Sequence, residues 1–503
     1  MDLSRSHNKL LHYLLFMCKQ LLRNRLATCL TVLLIITAAL LLNVSVIKQT
    51  TSDPKTTPTQ THTTDDKPPV FWIYHKTEQP LSHVISVFRR LGYVQGGQRD
   101  SWDVLWSYEY PYRSLPTSFW AGLKPHQRVN HFPGSGCFAF KPQLATMKFE
   151  FIPKAFQLPK QAEEFVTEAT AHPEQLWIKK DNNHRRIKIV TDIKSVNVHG
   201  EGSFIQQFIG NPLLIDGRKF DIGVYTVITS VDPLRVYTYS GEVLVRFCSE
   251  DYEPFDVHKV KKYVVDDEYT RPSEVKSIAS LLTKQSLSNK EALNVVLKKK
   301  GHPSNDLWEQ VDRAIQEVLL RCEPNIISKL SMPTRHFFEL VRFDFVIDDK
   351  FKVWLMEVNM SPNLSSDHFS ENRLMYEQVV YNTLSLTGLA RPLTSGIRYN
   401  GEYESVMLVS EADVQVPLEV CLDTTCAQCT EKKECALCHH CRSQDVSFSL
   451  KMAFLEHVNR RGFTRVYPPP VHSGSVTEDL SHANHMMSLW YEEKCRTEHS
   501  WCF

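Results

Sequence analysis

Between Val341 and Ser365, apolar and polar positions alternate as on two neighbouring strands. Phe343, Phe345 and Ile347 interleave with Arg342, Asp344 and Val346, and a second apolar run begins at Phe351 after Asp348-Asp349-Lys350. Aromatic and β-branched runs on either side of Asp/Lys turn residues predict a hairpin. Three metal-capable side chains interrupt its apolar character: Asp344, Glu357 and Asn359. Strand side chains repeat every two residues, so Glu357 and Asn359 share a face. A two-residue turn at Asp349-Lys350 sets Asp344 opposite Leu355 and Arg342 opposite Glu357, all on that face. An odd turn sends Asp344 to the other face. Two carboxylates and an amide oxygen are hard ligands suited to Mg²⁺ on nucleotide phosphates. The plainer alternative is a polar edge face.

The same two periodicities organise the rest of the chain. Val70–Tyr74 and Val104–Trp106 read as strands, and Leu81–Leu91 as a helix with Val84, Val87, Phe88 and Leu91 on one face. This βαβ-like start predicts an α/β domain over residues 70–149. Further on, Glu163–Ala169 reads as helix, Leu176–Lys179 and Ile187–Val190 as a hairpin, and Phe204–Phe208 as another strand. Phe220–Thr229 and Leu234–Tyr239 read as long paired strands. Asp306 and Glu309 form a capping pair ahead of a helical stripe, Leu307, Val311, Ile315, Val318 and Leu319.

At 503 residues the chain exceeds one ordinary core, so about two to four domains are expected. A formal net charge of +1 gives no global basic field, and nucleic acid is not an expected partner. Leu26–Ile47 is a run of 22 residues without a charge, long enough to cross a bilayer as a helix. Arg5, Lys9, Lys19, Arg23 and Arg25 precede it, which favours a cytosolic N-terminus and a signal anchor. Residues 48–69 are Thr/Pro/Asp-rich and read as a stalk. The expectation is a single-pass type II membrane protein with its C-terminal domain lumenal or extracellular. The alternative is a body that faces the cytosol and associates with microtubules.

Eight of the 13 cysteines fall in the last sixth of the chain: Cys421, Cys426, Cys429, Cys435, Cys438, Cys441, Cys495 and Cys502. Behind a membrane anchor, disulfides are the first reading of this cluster. Zinc held by the CxxC thiolates with His439 or His440 is the second. Cys137, Cys248 and Cys322 read as buried free thiols.

Lys179 ends one strand and Lys219 lies in Asp216-Gly217-Arg218-Lys219-Phe220-Asp221. A lysine at a strand end can reach a nucleotide phosphate as a point charge. With these lysines the chain resembles the tubulin–tyrosine ligase-like family, amino-acid ligases of the ATP-grasp fold, over Val70–Leu389. The resemblance is carried in order by QRVNHFPGS (127–135), IQQFIGNPLLIDGRKFD (205–221), LVRFCSEDY (244–252) and FELVRFDFVID followed by VWLMEVNMSPNLS. It implies that Asp344, Glu357 and Asn359 bind Mg²⁺, two ions in all, and that Lys179 and Lys219 hold ATP phosphates. It implies that Gln206, Gln207 and Phe208 form the adenine hinge, that Arg246 lies near the γ-phosphate and the amino acid, and that Asp221 is a polar site residue. The implied reaction activates a carboxylate as an acyl phosphate and joins it to the amine of a free amino acid, glutamate above all, on a protein such as tubulin.

The fold expected is thus α/β (α+β). Residues 1–25 are a cytosolic N-terminus, 26–47 an anchor and 48–69 a linker. Residues 70–149 form an N-terminal domain, 150–395 an ATP-grasp-like ligase domain and 396–503 a Cys-rich module. Five positions depart from the family pattern. Arg186 and Lys188 stand at glycine positions of the phosphate loop, and Lys262 stands for an asparagine. Gly223 stands for an arginine, and Arg342 for a glycine. These departures leave a second expectation, a membrane-anchored binding protein with a vestigial ATP site. The sequons Asn359-Met360-Ser361 and Asn363-Leu364-Ser365 lie inside the opening hairpin.

Overall fold

The computed structural model describes residues 67–75, 79–181, 187–198, 202–391, 409–422, 426–429, 433–471 and 481–503. The chain divides into Met1–Thr64 and Asp65–Phe503, and the described residues all lie in the second unit. The anchor run 26–47, nearly all of the stalk, and Arg186 lie outside the described residues. Among the described residues no helix is long and apolar enough to cross a membrane.

The first sheet is parallel, in the order β2 (Val94–Gly96), β1 (Val70–Tyr74), β3 (Val104–Ser107), β4 (Arg128–Val129). Helix Ser82–Arg90 crosses from β1 to β2 and buries Val84, Ile85, Val87 and Phe88, the face that its spacing predicts. The second sheet is antiparallel, in the order β5 (Ala155–Gln157), β8 (Ser203–Gln207), β6 (Trp177–Asp181), β7 (Lys188–Val190). Helix Ala162–Ala171 seals it through Phe165 and Ala169.

The third sheet is the centre of the molecule. Its order is β14 (Val353–Asn359), β13 (Glu339–Ile347), β10 (Arg218–Val231), β11 (Leu234–Tyr239), β15 (Phe463–Tyr467), with β9 (Leu214–Ile215) and β12 (Leu244–Phe247) also on β10. β10 is buried on both faces, and its residues divide by parity. Ile222, Val224 and Ile228 pack into one core with helix Ser304–Ile327, while Tyr225 and Val227 pack into a second core with helix Arg373–Leu386. A strand covered on both sides reads as a continuous apolar run, as FDIGVYTVIT does. Helix Ser304–Ile327 carries the expected stripe, but it starts two residues ahead of the proposed Asp306/Glu309 pair. Asp306 instead lies in the first turn, where a carboxylate favours the exposed N–H groups.

The C-terminal residues form a third small core around Leu450, Met487 and Trp490. They are no separate appendage, because β15 pairs antiparallel with β11 and closes that edge of the central sheet. Four disulfides staple this part: Cys421–Cys438, Cys426–Cys435, Cys429–Cys441 and Cys495–Cys502. The thiolates that a zinc site would use are therefore consumed. His440 lies close to Cys429 and Cys441, but its ring bonds the Cys426 carbonyl at 2.9 Å. The free-thiol expectation fails at two positions, since Cys137 and Cys322 are joined across 185 residues. Only Cys248 is free among the described cysteines, and burial pushes its thiol up to about 12.

Candidate active site

The hairpin loop between β13 and β14 has five residues, Asp348–Lys352, because Ile347 pairs with Val353. That number is odd, which alone would turn Asp344 away from Glu357. A β-bulge between Asp344 and Phe345 restores the face: Phe345 pairs with Leu355, yet Asp344 pairs with Glu357 and Arg342 with Asn359. The extra residue, Met356, absorbs the offset. The expected pairings of Asp344 with Leu355 and Arg342 with Glu357 are therefore both corrected, while the shared face survives.

Across the sheet these residues stand in rows. β10 sets Gly223 beside Asp344 and Tyr225 beside Arg342, and β12 sets Arg246 beside Asp221. Arg246 grips Asp221 with Nε–Oδ1 at 2.9 Å and Nη2–Oδ2 at 2.8 Å, and its Nη2 also reaches Asp344 Oδ2 at 3.1 Å. Arg342 grips Asp344 with Nε–Oδ1 at 2.6 Å and Nη2–Oδ2 at 2.8 Å. Asn359 Nδ2 donates to Asp344 Oδ2 and Glu357 Oε1, both at 3.0 Å. Lys141, on the helix Lys141–Ala145, donates to Glu357 Oε2 at 2.6 Å. Burial opposes ionisation of Glu357, but Lys141 and the Asn359 amide outweigh it and hold the carboxyl well below its usual range.

Arg246, Arg342, Glu357 and Asn359 of this cluster line an open cleft of about 1000 Å³ between the second and third sheets, with Lys180, Lys188 and Phe204 also on its walls. Here the assignment of the phosphate lysine changes. Lys179 turns to the opposite face of β6 and donates to the Asn197 carbonyl at 2.6 Å. Lys180 faces the cleft and donates to Gln206 Oε1 at 2.8 Å. Burial lowers the Lys180 ammonium to about 8, against the pull of Glu357. Period-two alternation separates the two lysines, and the sequence offered no mark of which face was inward.

The remaining expected residues divide in the same way. Gln206 is fully buried and shares the Lys180 side, whereas Gln207 bonds Gln175 at 2.8 Å. Phe208 stacks on Phe255, and the Lys219 ammonium sits 5.0 Å from the Phe208 ring. Burial lowers the Lys219 ammonium and raises the Asp221 carboxyl, the latter against Arg246. Lys262, at the expected asparagine position, instead binds the carbonyls of Asp251 and Pro254 at 2.9 and 3.0 Å. Lys141 was missed by sequence reasoning. It lies outside every motif, and only the packing of its helix on β14 brings it to Glu357.

The donor types suit a hard divalent ion, but unequally. Glu357 and Asn359 fit one ion on the cleft side. The oxygens of Asp344 are already taken by two guanidinium groups and an amide. A cationic wall faces paired carboxylates across a two-sheet cleft, with Arg246 held by Asp221, an arrangement of charge that suits phosphoryl transfer. Comparison with known proteins agrees. The model of the tubulin-tyrosine ligase family matches residues 121–394. A probable tubulin polyglutamylase of Caenorhabditis elegans, ttll-15, is 38% identical over 454 residues, 87% of this chain and 88% of that protein. The tubulin monoglutamylase TTLL4 of Homo sapiens is 28% identical over 59% of this chain, and the tubulin polyglutamylase TTLL6 of Mus musculus 28% over 60%. These two matches span only 26% and 38% of those longer proteins. The chain belongs to the tubulin-tyrosine ligase family. The expectation of a binding protein with a vestigial site finds no support among these relatives.

Proposed function

We propose that this chain adds glutamate through an amide bond to a carboxylate of a protein acceptor, with ATP as the energy source. The observation that carries the reading is the Arg246–Asp221 fork set beside the Asp344, Glu357 and Asn359 row, facing Lys180 across one cleft. The acceptor carboxylate takes the terminal phosphoryl group of ATP and ADP leaves. The amine of glutamate then attacks the acyl carbon, phosphate leaves and the amine loses a proton. When bound, one magnesium ion held by Glu357 and Asn359 would stabilise charge on the transferring phosphoryl group rather than anchor the nucleotide. Lys180 supplies a cation to the phosphates from the opposite wall. Asp221 fixes the plane of Arg246 through Nε and Nη2, which leaves Nη1 to meet substrate in an orientation set before it arrives. Tubulin is the acceptor that the relatives' names support.

The test is direct. Disulfide-intact protein is incubated with Mg-ATP, labelled glutamate and tubulin, and the acceptor is examined by mass spectrometry. Addition of glutamyl residues, lost in Glu357→Gln, is expected. Failure to label tubulin and any secretory-pathway extract would overturn the reading.

A second reading of the acceptor rests on the disulfides. Five in the described residues suit an oxidising compartment, and the charge bias around residues 26–47 points the body of the chain the same way. In that case residues 48–503 lie in a lumen or outside the cell, the apolar run anchors them to the bilayer, and the acceptor is a secretory-pathway protein. Protease protection of the C-terminal residues in intact vesicles is expected. Digestion without detergent would overturn it.

A further inference from the structure

We propose that the guanidinium of Arg342 is the resident cation of Asp344, standing where a divalent ion would otherwise sit, so that nucleotide binding in this cleft depends little on magnesium. The nucleotide part rests on the ligase reading above. The cation part does not.

The first support is saturation. An ionised carboxylate offers about four acceptor positions. At Asp344, Oδ1 takes Arg342 Nε at 2.6 Å, while Oδ2 takes Arg342 Nη2 at 2.8 Å, Asn359 Nδ2 at 3.0 Å and Arg246 Nη2 at 3.1 Å. A divalent ion needs an oxygen lone pair at its own short bonding distance; Oδ2 has none left and Oδ1 already accepts from Arg342, so an ion that engages both oxygens must displace a guanidinium. Displacement is opposed by burial, because the side chains of Arg342 and Asp344 are 8% and 3% exposed and neither charge can be left to water.

The second support is space. Arg342 reaches Asp344 by lying over Gly223. A Cβ at position 223 would fall 2.8 Å from Arg342 Cδ, 3.1 Å from Arg342 Nε and 3.1 Å from Asp344 Oδ1. Any side chain at 223 would push the arginine arm out of this position. Gly223 and Arg342, which depart separately from the family pattern in the sequence, are one structural unit.

The third support is charge. The contacts join three carboxylates, Asp221, Asp344 and Glu357, to three cations, Arg246, Arg342 and Lys141. The cluster is neutral without any ion. Removing Arg342 alone leaves one uncompensated negative charge, the condition that recruits a divalent cation.

Two measurements on the full, disulfide-intact chain test this. The first is Mn²⁺ binding without nucleotide, read by electron paramagnetic resonance, in wild type, Arg342→Gly and Arg342→Met. The Met variant keeps an apolar arm over Gly223 if the Gly variant folds poorly. Mn²⁺ affinity at least 10-fold tighter in the variants is expected. Equal affinity in wild type and both variants overturns the inference, whatever nucleotide does. The second is ATP affinity by calorimetry in EDTA and in Mg²⁺. Wild-type values within about 3-fold of each other are expected, against a 10-fold or larger Mg²⁺ dependence in the variants. A 10-fold dependence already present in wild type overturns the metal independence. No ATP binding in either buffer overturns the ligase reading, and with it the nucleotide half of the inference, leaving Mn²⁺ to judge Arg342.

Discussion

Glu456 holds Arg235 through two bonds, Oε2 to Nε at 2.8 Å and Oε1 to Nη2 at 3.0 Å, with both side chains buried. Tyr237 and Thr229 donate to the same Oε2 at 2.9 and 3.0 Å. Arg235 and Tyr237 belong to the central sheet, and Glu456 to a C-terminal helix. Breaking a buried pair from one side leaves an unpaired charge and costs about 3–5 kcal/mol. Glu456→Ala should therefore lower the melting temperature strongly, and a chain ending near residue 395 should be insoluble. A truncated chain that folds and binds ATP would refute the integral role of the C-terminal residues.

Lys180 gives the cleft a pH dependence. Its folded value is lowered to about 8, so its charge is present at pH 7 and fades as pH rises through 8. ATP affinity should fall several-fold between pH 7 and 9. Lys180→Arg keeps the charge and should flatten the profile, and Lys179→Arg should leave it unchanged. Calorimetric titrations at pH 7, 8 and 9 decide this.

Arg246 holds Asp221 by a planar fork that lysine cannot reproduce. Arg246→Lys should lower kcat/KM for ligation roughly 10–100-fold, a loss of about 1.4–2.8 kcal/mol of transition-state stabilisation. Lys cannot engage both Asp221 oxygens in parallel. An unaltered rate in labelled-glutamate assays would remove Arg246 from the reaction.

Much of this was legible in the sequence, and the remainder has identifiable causes. The continuous apolar run of Phe220–Thr229 and the alternation of Val341–Ile347 mark the strands, because each buries one residue set per face. The register of the hairpin was not legible. It depends on a five-residue loop and a bulge whose effects cancel, and neither carries a sequence mark. Lys179 and Lys180 were indistinguishable for a similar reason, since a one-residue choice of face leaves composition unchanged. The pairing of Cys137 with Cys322 joins segments 185 residues apart, beyond any local pattern. Gly223 and Arg342 each looked like a loss, and only the register of β10 on β13 reveals that one makes room for the other.

That long-range disulfide should be measurable. Peptide mapping under non-reducing conditions should recover Cys137 linked to Cys322, and the Cys137→Ser/Cys322→Ser pair should lose about 2–5 kcal/mol of stability. Alkylation of both thiols in the native protein would contradict the structure.

Glu323 sets a second pH effect, on stability. Burial raises its carboxyl to about 7, although Asn484 donates to both oxygens at 2.8 and 2.9 Å. A raised acid binds more protons in the folded state, so stability is present below the unfolded value and is lost as pH climbs towards 7. Glu323→Gln should melt higher than wild type at pH 8, with the gap closing at pH 5. A constant gap across that range would show that Glu323 does not titrate there.

The edge strand β15 gives the chain a schedule as well as a shape. Ser240 waits for Thr464, 224 residues further on, to close the margin of the central sheet. At roughly 5–20 residues per second of synthesis, that wait is about 10–45 s. Through that interval the backbone of β11 is an open template for any passing strand. A cell making this protein quickly therefore needs either a chaperone seated on that margin or a slow ribosome, and overexpression yield should respond to both.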